Sequence, residues 1–207
     1  KWSTPPMEGP GAVQMGPIMA WLEENTAEDT IFTNGAGNYA TWVHRFHRFR
    51  RFGTQAATTS GSMGYGLPAA VAAKQLHPGR EVICFAGDGC FMMHGQEFAT
   101  AVRYKLPIIT VVVNNGIYGT IRMHQEREYP GRVSGTELKN PDFSAYAKAF
   151  GGHGERVERT EEFAPALARA RASGLPSILH CFIDPETITP TGTLSGMRKA
   201  AEEKLRK

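Results

Sequence analysis

The chain of 207 residues carries 23 Lys and Arg against 20 Asp and Glu, a formal net charge of +3, and is 41% hydrophobic. At about 150 residues per domain this length argues for one large domain, and eleven Phe with three Trp supply a core that a disordered chain lacks. The charge is too mild to call for nucleic acid or a membrane surface, and the longest apolar stretch, 106–113, is broken by Pro107 and Thr110, far short of the roughly 18 residues of a membrane span.

Residues 1–12 begin at Lys1 without an initiator Met and hold Pro5, Pro6, Gly9, Pro10 and Gly11, a composition that reads as a linker from a larger parent chain. Residues 14–24 place apolar side chains at helical spacing. Residues 30–33 are a short strand candidate running into Asn34-Gly35-Ala36-Gly37-Asn38, a loop of small residues. The stretch 42–52 interleaves Trp42, Phe46, Phe49 and Phe52 with Arg45, Arg48, Arg50 and Arg51, as a platform for single-stranded nucleic acid would. Four arginines in a nearly neutral chain do not make such a platform, and the aromatics point instead to a subunit interface.

An Ala-rich helix is expected over 64–76, stopped by His77-Pro78-Gly79. Residues 82–86 and 108–113 are continuous apolar runs, as parallel strands buried on both faces require. Between them 95–105 reads as a helix of about three turns. Helices follow over 142–150 and 161–172, a last strand over 177–183, and a polar C-terminal helix within 194–207, its helical stretch 194–206. Strands alternating with helices predict an α/β fold: a doubly wound, mainly parallel sheet with helices on both faces, three layers deep, in one domain spanning 13–193.

Ligands of open α/β sheets bind beyond the carboxyl ends of the strands. The run 82–86 ends in Gly87-Asp88-Gly89-Cys90, and the run 108–113 ends in Asn114-Asn115-Gly116. The 24 residues from Cys90 to Val113 are what one helix and one returning strand need. If the two strands are neighbours, Asp88 and Asn115 meet at one edge. A carboxylate and an amide oxygen, with a nearby backbone carbonyl, suit a hard divalent cation such as Mg2+, which is held by a few protein oxygens together with phosphate oxygens. Gly87 and Gly89 let backbone N–H groups at a helix start approach a phosphate. A helix terminus contributes only about 0.3–1 kcal/mol per anion contact, so the metal must neutralise most of a diphosphate's charge. Cys84, Cys90 and Cys181 make no metal-ligand spacing, leave one over from any disulfide, and read as buried core residues in a reducing, cytoplasmic setting.

Gly87-Asp88-Gly89, then 24 residues, then Asn114-Asn115 resembles the signature of thiamine-diphosphate enzymes. Residues Gly61-Ser62-Met63-Gly64-Tyr65-Gly66-Leu67-Pro68-Ala69-Ala70 resemble the segment that seats the cofactor's pyrimidine in acetolactate-synthase-like members. Tyr118-Gly119-Thr120-Ile121-Arg122 and Asn140-Pro141-Asp142-Phe143 match the same branch. The resemblance runs from about Val13 to Thr193 and concerns the family's C-terminal, diphosphate-binding domain alone.

That resemblance implies thiamine diphosphate and Mg2+ as cofactors, a 2-oxo acid as substrate, and decarboxylation or carboligation as the reaction. Asp88 and Asn115 with the Ile117 carbonyl would hold the metal. The backbone of Gly87, Gly89 and Cys90 and the loop Gly35, Ala36, Gly37 and Asn38 would hold the diphosphate, with Tyr118 and Gly119 beside it. The Gly61 carbonyl would accept from the pyrimidine amino group, and Met63 would wedge the cofactor into its bent form. Glu97 would be a hydrogen-bonding partner at a helix start. His124 stands where acetolactate synthases carry a pocket-shaping Trp, so the acceptor preference need not carry over; the characteristic C-terminal tail of those synthases is also missing. No segment resembles the pyrimidine-binding domain, whose Glu activates the cofactor. The resemblance therefore implies that the parent chain or another subunit supplies that domain, within a homodimer or tetramer, and that this chain alone catalyses little. A separately encoded subunit of a two-chain decarboxylase and a non-catalytic cofactor-binding module remain as alternatives.

Overall fold

The computed structural model describes residues 2–206; Lys1 and Lys207, at the ends of the expected linker and terminal helix, lie outside them. Helix α1 (Met15–Asn25) precedes strand β1 (Ile31–Asn34), followed by α2 (Ala40–Phe46) and a short strand β2 (Gln55–Ala57). Helix α3 (Gly66–Leu76) leads into β3 (Val82–Gly87), which passes directly into α4 (Asp88–His94); α5 (Phe98–Arg103) then returns the chain to β4 (Ile109–Asn114). Beyond β4 come α6 (Gly119–Glu128), α7 (Phe143–Ala149), β5 (His153–Val157), α8 (Phe163–Ser173) and β6 (Ser177–Phe182). A small antiparallel pair, β7 (Thr187–Thr189) and β8 (Gly192–Thr193), and helix α9 (Leu194–Leu205) complete the described chain.

Six strands form one parallel sheet in the order β2-β1-β3-β4-β6-β5. Alternation along a strand sends neighbouring side chains to opposite faces, and β3 displays it fully. Ile83 and Phe85 join a core with α1, α2 and α8, through Leu22, Trp42 and Phe163. Val82, Cys84 and Ala86 join a second core with α3, α4, α5 and α7, through Leu67, Phe91, Phe98 and Phe143. The fold is thus a three-layer α/β/α sandwich, as the alternating pattern predicts. A third, smaller cluster of Met123, Ile188 and Leu194 seats α6 against the β7–β8 pair and α9.

Two local expectations change. The helix expected over 95–105 is a longer, interrupted one: α4 starts at Asp88, a 3-10 turn covers Gly95–Glu97, and α5 finishes the crossover. The tightening follows from packing, because a Cβ on Gly95 would lie 2.8 Å from the Phe91 ring. The aromatics of 42–52 are for the most part not an interface. Trp42 and Phe46 are buried on α2 and Phe49 packs against the same core, leaving Phe52 exposed. Of the arginines in that stretch, Arg50 pairs with Glu23 and Arg51 lies 3.9 Å from Asp29.

Candidate active site

Chain leaving β1 turns towards β2, whereas chain leaving β3 turns the other way, towards β4. The carboxyl ends of β1 and β3 therefore flank a topological switch point, where the diverging loops leave a crevice. Register puts Asn34 beside Phe85 and Gly87 beside Val113, so the loop after β1, the start of α4 and the loop after β4 share one edge. A small cavity of about 50 Å³ opens there, with Asn38, Gly87, Asp88, Asn115, Gly119 and Thr120 among its lining.

Asp88 is the first residue of α4 and only 3% exposed. Its Oδ1 accepts the Gly89 N–H at 2.9 Å, and its Oδ2 accepts the Gly116 N–H at 2.9 Å and the Asn140 amide at 2.7 Å. Among the described residues it forms no ion pair. Burial raises its carboxyl pKa above the ordinary value, opposed by these hydrogen bonds. A buried carboxylate without a cation is costly, and a bound divalent ion would answer it. Asn115 is half-buried and uses its Oδ1 on the Ile117 N–H at 3.2 Å. No group of three or more His, Cys, Asp or Glu suited to a metal exists among the described residues.

The glycines here admit aromatic rings. A Cβ on Gly87 would lie 2.8 Å from the Tyr39 ring, and one on Gly89 would lie 2.6 Å from the Tyr118 ring. The Tyr39 hydroxyl accepts from the Gly35 N–H at 3.1 Å and donates to Cys90 Sγ at 3.0 Å, and Cys90 Sγ also accepts from the Gly64 N–H at 3.1 Å. Cys90 thus joins the loop after β1 to the residues entering α3. Asn38 is fixed from the other side, its N–H on Thr120 Oγ1 at 3.0 Å and its Oδ1 accepting from the Thr120 hydroxyl at 3.1 Å.

Not every expected residue converges. Ala36, Gly37, Ile117 and Tyr118 are half-buried around the crevice, but Gly61 is exposed and Met63 is half-buried on the segment before α3. His124 lies on the exposed side of α6, and Glu97 holds the Thr100 hydroxyl at 2.9 Å, within the α4–α5 crossover. Sequence reasoning missed Tyr39 and His180, and quoted Asn114, Thr120 and Asn140 only as parts of motifs. Asn140 had a signal in its place before Pro141-Asp142-Phe143; a tyrosine that needs glycines opposite it has none.

A family model for the thiamine pyrophosphate enzyme C-terminal TPP-binding domain matches residues 35–181. The acetolactate synthase isozyme 2 large subunit of Escherichia coli is 37% identical over 180 residues, covering 84% of this chain and 32% of that protein. The acetolactate synthase large subunit of Corynebacterium glutamicum is 36% identical over 160 residues, covering 74% of this chain and 26% of that protein. Among solved structures, the thiamine diphosphate-dependent 4-hydroxybenzoylformate decarboxylase of Rhodococcus jostii superposes with a TM-score of 0.79 at 26% identity, over 86% of this chain and 34% of that one. The chain spans about a third or less of the length of these relatives.

Proposed function

The chain belongs to the thiamine pyrophosphate enzyme family, matching its C-terminal, cofactor-binding domain, and from that premise we propose that it serves an acetolactate-synthase-like enzyme, dependent on Mg2+, that decarboxylates 2-oxo acids or joins them to a second carbonyl compound. The observation that carries the metal is Asp88, buried and without a cationic partner at the switch point of the sheet.

Asp88 and Asn115 side chains with the Ile117 carbonyl would hold Mg2+. Backbone groups of Gly87, Gly89 and Cys90 and of the loop Gly35, Ala36, Gly37 and Asn38 would hold the diphosphate, with Tyr118 and Gly119 at its flank. The Gly61 carbonyl would accept from the pyrimidine amino group, and Met63 would support the bent cofactor. When bound, the thiazolium ring supplies a carbanion that adds to a carbonyl and stores the electrons released by decarboxylation. What this chain would contribute is position: the Gly61 carbonyl and Met63 would seat the pyrimidine end of the cofactor while the residues around Asp88 hold its diphosphate, so that its reacting groups need no separate encounter. A pyrimidine-binding domain, from the parent chain or another subunit, would supply the activating Glu, and general acid–base help of that kind is worth about 10²–10⁴-fold. The assembly is proposed to be a cytoplasmic homodimer or tetramer. No described helix is long and apolar enough to cross a membrane.

Calorimetry tests the metal assignment. Replacing Asp88 by Ala is expected to abolish Mg2+-dependent binding of thiamine diphosphate, and undiminished binding would show the metal to be placed wrongly. The 207-residue chain given Mg2+, thiamine diphosphate and pyruvate is expected to turn over far more slowly than an ordinary enzyme. An ordinary rate would remove the need for a second domain.

A further inference from the structure

Behind Asp88 runs a line of buried and half-buried polar side chains that reaches across the sheet to β6. Asn140 Nδ2 donates to Asp88 Oδ2 at 2.7 Å and to Asn114 Oδ1 at 2.9 Å. Asn114 Oδ1 accepts a second time, from the Gly116 N–H at 3.0 Å. The Asn114 amide nitrogen lies 2.7 Å from Nε2 of His180, a residue only 1% exposed and packed between the Phe143 and Phe182 rings. The other ring nitrogen, Nδ1, accepts the Phe143 N–H at 3.3 Å and lies 3.5 Å from Asp142 Oδ1.

The direction of the bonds from Asp88 to Asn114 follows from the first member of the line. An ionised carboxylate can only accept, so Asn140 must turn its NH2 towards Asp88. That NH2 and the Gly116 N–H both meet Asn114, so Asn114 must present its oxygen to them and its own NH2 to the ring. The Asn114 NH2 then faces Nε2 of His180. We infer that Asn140 and His180 are positioning residues which, through Asn114, hold the Asp88 carboxylate oriented for a divalent cation; this rests on the reading of Asp88 as a metal ligand.

Two details carry the point further. Asp88 Oδ2 is saturated by two donors, whereas Oδ1 takes only the adjacent Gly89 N–H, so Oδ1 is the oxygen left to the cation. Burial also lowers the pKa of His180 below the ordinary histidine value, in keeping with a neutral ring. Partners of this kind, which touch a ligand and not the metal, commonly change metal affinity about 10–100-fold when lost.

Metal binding to the 207-residue chain tests this. Mn2+ binding in the presence of thiamine diphosphate, followed by electron paramagnetic resonance, is expected to weaken about 10-fold or more in Asn140→Leu and in His180→Phe. His180→Gln, whose side-chain oxygen can accept from Asn114, should recover most of the loss, which a merely space-filling role would not allow. Unchanged Mn2+ affinity in both Asn140→Leu and His180→Phe, with binding abolished in Asp88→Ala, would overturn the positioning role and leave the metal ligand standing. Wild-type affinity in Asp88→Ala would overturn the ligand assignment, and the positioning role with it.

Discussion

Two stretches of the sheet's carboxyl edge are built in opposite ways. From β3 through β4 to α6, polar side chains are buried and bonded across long sequence separations. Asp88 is held by Gly116 and Asn140, Asn114 by His180, and Glu126, 1% exposed, by Arg122 and Arg198 together. From β2 to α3, the hydroxyls of Thr58, Ser60 and Ser62 bond largely to one another, Gly61 and Ser62 are exposed, and Tyr65 is 42% exposed. Yet Gly61 to Tyr65 of this second stretch belong to the ten consecutive residues of the family resemblance, the other five opening α3, where Leu67 and Ala70 enter the core. A segment's specificity in sequence is therefore no measure of what it gives the fold. On the proposed reading, the first stretch is furnished by this chain for itself and the second is kept for a pyrimidine ring and the domain that covers it.

Stability measurements can break this contrast. Glu126→Ala should cost the most, about 3 kcal/mol by urea unfolding, because it strands Arg122 beside a vacated carboxylate site; a cost under about 1 kcal/mol would mean the buried pair contributes little. The same lock makes an acid prediction. The Arg198 guanidinium bonded to Glu126 lowers its carboxyl pKa to about 2, against an ordinary 4.5. A depressed folded pKa gives stability that is complete above 4.5 and lost as pH falls towards 2. Melting temperature should therefore fall through that window, and Glu126→Gln should flatten part of the slope; parallel curves would refute the coupling. Asn114→Leu, which leaves Nε2 of His180 without its partner and the Gly116 N–H with Asp88 alone, should cost about 1–3 kcal/mol. Ser62→Ala should change stability by less than about 0.5 kcal/mol, and a loss near 2 kcal/mol would show that the exposed stretch does help hold the fold.

What the sequence discloses follows the same divide between buried and exposed. The runs at 82–86 and 108–113 are legible because central strands are apolar on both faces. The edge strands β2 and β5 are not: Gln55-Ala56-Ala57 and His153-Gly154-Glu155-Arg156-Val157 have no partner on one side and carry polar residues freely. Helix α6 was overlooked because it is strongly polar, burying only Met123 and Glu126, and α2 because its apolar residues were read as an interface. At the site, Asp88 and Asn115 are legible from their place at strand ends. The bond between Asn114 and His180 spans 66 residues of chain, and no spacing rule links two residues that meet only because β4 and β6 are neighbours.

The order β2-β1-β3-β4-β6-β5 has a consequence for how the site can change. Because the chain departs from β1 and β3 in opposite directions, the recess between them is produced by connectivity, before any side chain is chosen. Residues along its wall then determine what it holds, not whether it exists. Such an architecture separates the inheritance of a place from the inheritance of a chemistry: substitutions at Asp88 or Asn115, in its wall, can exchange one occupant for another while the recess is handed on intact.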